Sequence, residues 1–178
     1  IEDGGVDIRE GDELIFTSEP AVGNATKVYM SYERFPIDVS EGDIILIDDG
    51  KLRLKVSDTN KKDEVRARVI NGGRLSSKKG VNLPDTKISL PSLTEKDKQD
   101  AAFALKHNVS WIALSFVRYS TDILDLRDLI RREKKHTKVI AKIEKPEALQ
   151  EIDEIIDLAD AVMVARGDLG VEVPFNQV

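Results

Sequence analysis

Cysteine is absent from this chain of 178 residues. Its absence excludes a disulfide framework, a thiolate metal site and a cysteine nucleophile, and a reducing cytoplasm is the simplest compartment for such a chain. Histidine occurs only as His107 and His136. Each stands among charged helical residues without a partner at ligand spacing, so both read as surface residues. No apolar run approaches the length of a membrane span, and no positively charged, apolar leader opens the chain. There is no Gly-x-Gly-x-x-Gly fingerprint, and Lys79-Gly80 lacks the glycine before and the Ser or Thr after that a Walker loop needs. An excess of positive charge is also missing: 27 Lys and Arg against 33 Asp and Glu give a net charge of −6. Neither nucleic acid nor a membrane surface is expected as a partner. The start, Ile1-Glu2-Asp3-Gly4-Gly5, has no initiator Met, and the chain is expected to be an internal piece of a longer or processed polypeptide.

At 40% hydrophobic and 34% charged residues the composition is that of a folded globular chain. Its two halves have different periods. From Glu13 to about Val69 short β-prone runs alternate with turn residues, as in Leu14–Thr17, Ile44–Ile47, Leu52–Val56 and Glu64–Ile70. Asp48-Asp49-Gly50 supplies residues that tolerate positive φ between two of these runs and predicts a hairpin. Asn71-Gly72-Gly73 predicts another turn. Runs this short imply a small antiparallel barrel or sandwich. After Pro84 the pattern changes to strand–helix alternation. Thr94 and Asp97 form a near capping box, and apolar runs at 111–117, 139–143 and 161–165 read as three buried strands. Between them 122–135 is amphipathic, and a helix is expected from Pro146 to about Leu158. Trp111 reads as core or rim of the sheet. Such alternation implies part of a parallel sheet covered by helices.

Side chains alternate along a strand, so Ile140, Lys142 and Glu144 share one face while Val139, Ala141 and Ile143 share the other. A Lys and a Glu at the end of an apolar strand are costly to bury without partners. In parallel α/β sheets, catalytic groups gather at the carboxyl ends of strands, where these two fall. The next strand ends in Ala165-Arg166-Gly167-Asp168-Leu169-Gly170. A carboxylate there can share a hard cation with Glu144, because Mg²⁺ takes one or two carboxylates plus waters and substrate oxygens. Gly167 and Gly170 let the backbone approach a ligand and present N–H donors to an anion. The alternative is a surface Lys–Glu pair followed by a glycine turn.

The strings themselves carry more. Ile140-Ala141-Lys142-Ile143-Glu144-Lys145-Pro146-Glu147-Ala148-Leu149 resembles the active-site stretch of pyruvate kinases, and 163–174, around Arg166-Gly167-Asp168-Leu169-Gly170, is similar to a second stretch of that family. Ser76–Pro84 and Ser115-Phe116-Val117-Arg118 agree in order and spacing. The resemblance implies an α/β fold combined with an all-β part: a small β-barrel lid domain, residues 1–86, inserted into a (β/α)₈ barrel of which residues 87–178 supply the third helix to the sixth strand.

It also implies roles. Lys142 matches the lysine that neutralises the transferred phosphoryl group and stabilises the enolate oxygen. Glu144 and Asp168 match the ligands of Mg²⁺ or Mn²⁺, and Gly167 and Asp168 the backbone donors to the substrate carboxylate. Lys79 matches a nucleotide-contacting lysine, and Asp49 lies on the face that closure brings towards nucleotide or metal, with a plain hairpin turn as its other reading. Phosphoenolpyruvate and ADP or ATP are the implied ligands, with K⁺ possible through residues outside this chain, in a cytoplasmic homotetrameric parent. Two departures stand out: Asp85 follows Asn-Leu-Pro where the family often has Gly, and Lys145-Pro146 replaces a polar pair common in animal members. The rival enzymatic reading is a Mg-dependent aldolase or lyase of the phosphoenolpyruvate/pyruvate barrels, against which count the β-rich stretch before residue 87 and the placing of Lys142 two residues before Glu144. The third reading is a non-catalytic fragment. Three strands cannot close an eight-stranded barrel, so the isolated chain is expected to be inactive or to self-associate.

Overall fold

Alternate residues of the strands in the first half meet in one apolar cluster: Leu14 and Phe16, Ile45 and Ile47, Leu54 and Val56, and Val65, Ala67 and Val69 are all at most 2% exposed. The computed structural model describes residues 1–173 and divides the chain into two compact units, Ile1–Ser89 and a second beginning at Leu90.

The first unit holds β1 (Val6–Ile8), β2 (Glu13–Thr17), β3 (Lys27–Tyr29), α1 (Phe35–Asp38), β4 (Ile44–Ile47), β5 (Leu52–Thr59), β6 (Glu64–Asn71), β7 (Gly73–Leu75) and β8 (Val81–Asn82). Six of the strands form a sheet in the order β3-β2-β6-β5-β4-β8, and β1 pairs with β7. The pairings are antiparallel except β2 with β3, which run parallel. β3 and β8 are the edge strands of this sheet, and the shared core shows that the sheet curls over its own apolar face. Phe16 and Phe35 close that core edge to face, their ring centroids 5.6 Å apart.

The hairpin expected at Asp48-Asp49-Gly50 is present, with Ile47 opposite Leu52 and all three turn residues at positive φ. The turn expected at Asn71-Gly72-Gly73 is instead a change of sheet, where β6 gives way at once to β7. A Cβ on Gly72 would lie 2.4 Å from the Ile8 carbonyl oxygen, so only glycine lets the two backbones come this close. Asp85 is exposed and accepts a hydrogen bond from the Ile44 N–H at 3.2 Å, and the Thr86 hydroxyl donates to Asp43 at 2.8 Å. These bonds fasten the segment after β8 to the start of β4.

The second unit contains α2 (Glu95–Lys106), β9 (Trp111–Val117), α3 (Ser120–Arg132), β10 (Lys138–Ile143), α4 (Pro146–Gln150), α5 (Ile152–Leu158), β11 (Ala161–Val164) and α6 (Arg166–Glu172). Its three strands are parallel, in the order β11-β10-β9. The alternation expected for β10 holds: Val139, Ala141 and Ile143 are buried at 0–1% exposure against Leu126, Ile130 and Ile155. Thr94 and Asp97 form a full capping box at the start of α2.

Three expectations are corrected. The helix after Pro146 is broken at Glu151, whose carboxylate accepts from the Ser120 N–H at 2.8 Å and so caps α3 instead of continuing its own helix. β11 is not buried: Val162, Met163 and Val164 are 42–55% exposed, because an edge strand with no neighbour beyond it loses cover. β9 is likewise only partly buried, at Leu114 and Val117, and Trp111 at its start lies at the rim of the sheet, 43% exposed, with the Lys138 ammonium 5.0 Å from its ring centroid.

Candidate functional site at the strand ends of the second unit

The carboxyl end of β10 brings Lys142 and Glu144 into direct contact, Nζ to Oε1 at 2.5 Å. The Lys142 ammonium also donates to the Ser115 hydroxyl at 3.0 Å. Glu144 is 2% exposed, and its second oxygen accepts from the Phe116 N–H at 2.7 Å. That N–H is available because the β9–β10 register slips: Ala141 faces Leu114 and Ile143 faces Val117, so Ser115 and Phe116 together oppose Lys142. Phe116 sits at φ +55°, a conformation that costs an aromatic residue free energy and clusters at functional sites. Its ring is 52% exposed beside the pair. Lys142 keeps a quarter of its side chain accessible while its ammonium is held by the Glu144 carboxylate and the Ser115 hydroxyl.

β11 ends beside β10, with Val164 opposite Ile143 and the Ala165 N–H bonded to the Ile143 carbonyl at 3.1 Å. Asp168 follows in the first turn of α6, exposed and without an ion pair among the described residues. The first bond of that helix runs from the Leu169 N–H to the Ala165 carbonyl, which leaves the N–H groups of Gly167 and Asp168 outside the helical ladder.

In the first unit Lys79 does not meet Asp49. Its ammonium pairs with Asp48 at 2.9 Å, and Lys51 reaches the other oxygen of the same carboxylate at 3.0 Å. The hydrogen bonds from Lys79 and then Lys51 hold the Asp48 carboxyl below the usual value. Asp49 points to solvent at the next position of the turn. Lys79 borders a cavity of about 240 Å³ lined also by Val28, Tyr29, Met30, Ser76 and Lys78.

The sequence shows Asp48 only as a turn residue and Lys145 only as a departure from the family string, and Glu172, Ser115 and Phe116 lie in the matched strings without a role. A concavity of the second unit, about 540 Å³ and lined by Arg127, Arg131, Lys134, Lys135 and Lys138 beside Asp160, lies at the amino ends of the strands, away from Lys142. Among the described residues no group of three or more His, Asp or Glu side chains gathers around one point, and no helix is long and apolar enough to cross a membrane. Two carboxylates are enough for a hard cation that also takes substrate oxygens. Among the described residues each Glu144 oxygen accepts one bond, and a carboxylate oxygen can take about two.

A family model described as pyruvate kinase, barrel domain, matches residues 1–178. The chain belongs to the pyruvate kinase family. Pyruvate kinases of Staphylococcus aureus (strain MRSA252) and Geobacillus stearothermophilus are each 42% identical to it, over 179 and 180 residues. Those matches cover all of this chain and 31% of each relative, so the chain spans about a third of their length. The barrel-domain model spans both units, and the parallel, helix-covered strands of the second are consistent with part of a barrel.

Proposed function

We propose that this chain is the central part of a pyruvate kinase that moves the phosphoryl group of phosphoenolpyruvate to ADP, giving pyruvate and ATP in the last step of glycolysis. The observation that carries the reading is the Lys142 ammonium, fixed between the Glu144 carboxylate and the Ser115 hydroxyl at a strand end yet still accessible. An oxygen of the ADP β-phosphate attacks phosphorus, the bond from phosphorus to the enol oxygen breaks, and the enolate left behind takes a proton at its terminal carbon. Lys142 neutralises the phosphoryl oxygens in flight and then the enolate oxygen, a task that suits a compact point charge. Glu144 and Asp168 would hold Mg²⁺ or Mn²⁺, which when bound supplies Lewis-acid polarisation of the phosphoryl and enolate oxygens. The N–H groups of Gly167 and Asp168 receive the substrate carboxylate. Lys79 and Asp49 face the nucleotide, joined by Asp48, which already holds Lys79.

On this reading residues 1–86 are the lid domain inserted into the barrel and 87–178 are the barrel segment. The ligands of K⁺ lie outside this chain, and the parent is a cytoplasmic homotetramer. Lys142→Met in the full-length enzyme tests the assignment. A coupled assay of pyruvate formation should show kcat reduced by about 10²–10³-fold, the loss expected when a group that stabilises transition-state charge is removed. A near-normal rate refutes the role of Lys142.

A further inference from the structure

The end of β10 carries a second lysine–glutamate pair that the proposed reaction does not use. Lys145, at the cap position before α4, bonds through its ammonium to Glu172 in the last turn of α6. The two side chains are 9% and 2% exposed, so both charges are taken out of water. Such a pair is no better for stability than an apolar pair of the same volume. What it supplies is direction, fixing where its two elements sit relative to one another. The elements are telling. Lys145 directly follows Glu144, and α6 carries Asp168. The Lys145 ammonium also lies 6.0 Å from the ring of Phe116, whose N–H holds Glu144. The replacement of a polar residue by lysine at 145, which looks conservative in the sequence, thus ties the helix bearing one carboxylate to the strand end bearing the other.

We propose that Lys145 and Glu172 are positioning residues that set the placement of Asp168 relative to Glu144; this rests on the reading of those two carboxylates as ligands of a divalent cation. The test uses the full-length protein and Mn²⁺ alone, with free Mn²⁺ followed by electron paramagnetic resonance. The double variant Lys145→Met/Glu172→Leu removes both charges of the pair at similar volume. It is expected to keep its unfolding midpoint while its Mn²⁺ affinity falls about tenfold, the lower end for loss of groups that orient metal ligands. In the metal-free protein, the Leu169 and Val173 amides, which hold α6 to its own turns, should exchange with solvent faster in this variant. Lys145→Arg alone, which keeps the charge and Glu172, should retain most of the parent's affinity. A folded double variant that binds Mn²⁺ as the parent does overturns the proposal. Should that variant not fold, Glu172→Gln carries the test: weaker Mn²⁺ binding in a folded protein supports the proposal, and unchanged binding overturns it. Glu144→Gln is the control. If it leaves Mn²⁺ binding intact, the metal reading falls and this inference with it; if it abolishes binding while the double variant does not, only this inference falls.

Discussion

In the β-rich unit the lysine–carboxylate pairs lie in water: Lys79 and Lys51 share Asp48, Lys27 reaches Glu64, and each side chain in these pairs is at least a fifth exposed. In the α/β unit two pairs of the same residue types, Lys142–Glu144 and Lys145–Glu172, each hold a carboxylate that is 2% exposed. Apolar side chains show the reverse. The β-rich unit gathers its large ones into a core shared by the whole curled sheet, and leaves Val22, Tyr29, Ile37 and Ile70 outside. The α/β unit buries charge but exposes Phe103, Leu149, Ile156, Val162, Met163 and Val164. Surface ion pairs contribute little and can be remade around a ligand, whereas buried ones fix geometry. The first unit is thus the more completely packed, and the second buries the charges at its strand ends while its helix-surface pairs Lys96–Asp100 and Lys98–Glu95 stay as open as those around Asp48.

The largest expected effect is on autonomy. Residues 1–89 expressed alone should unfold in one cooperative transition, because their core draws on no residue outside them. Residues 90–178 alone should self-associate through the open face of β11, as contiguous exposed apolar surface does. Sedimentation and denaturant unfolding of the two pieces decide the matter. A monomeric, cooperatively folded second piece breaks the comparison. Next in size is a pair of substitutions in the whole chain. Leu54→Ala, at a position with no exposure, should cost about 2–5 kcal/mol, while Met163→Ala on β11 should stay within about 0.5 kcal/mol. Equal losses at the two positions would mean that β11 is covered in solution.

How much of this was legible beforehand follows the reach of each interaction. The Asp48-Asp49-Gly50 hairpin, the Thr94–Asp97 cap and the faces of β10 depend on neighbours within a few residues, and all three could be read directly. Lys142 and Glu144 were legible as a pair because two residues along a strand put them on one side. Glu172 lies far along the chain from Lys145, and no local period points from one to the other. The bulge at Phe116 was equally hidden, since an apolar run looks the same whether or not one residue adopts positive φ. The break at Glu151 arose because a carboxylate that fits a helix was recruited to cap a different one. Burial of β11 was misjudged because an apolar string tells how a strand would pack, not whether a neighbour is present to cover it.

The smallest effect sharpens the charge side of the comparison. Burial by itself lifts the Asp38 carboxyl, but hydrogen bonds from the Tyr32 hydroxyl and from Ser89 outweigh it and hold the group below its ordinary value. Burial, together with the bond to Asp38, pushes the Tyr32 phenol up. A lowered carboxyl stabilises the fold above its unfolded pKa of about 3.9 and loses that contribution as pH falls through the native value. A raised phenol stabilises it below about 10 and loses the contribution as pH climbs through its own native value. The cluster is therefore complete between those limits and fails at both edges. In residues 1–89, Asp38→Asn should remove part of the acid-induced loss of stability, and Tyr32→Phe part of the alkaline loss. Asp48 is lowered as well, by hydrogen bonds from two exposed lysines, so its share of the acid edge should shrink at about 0.5 M salt, which weakens exposed ion pairs. The share of Asp38, whose side chain is 7% exposed, should persist. An acid edge that salt abolishes entirely would show that Asp38 behaves as a surface charge, and that the contrast between open and buried carboxylates runs only between the units and not within the first.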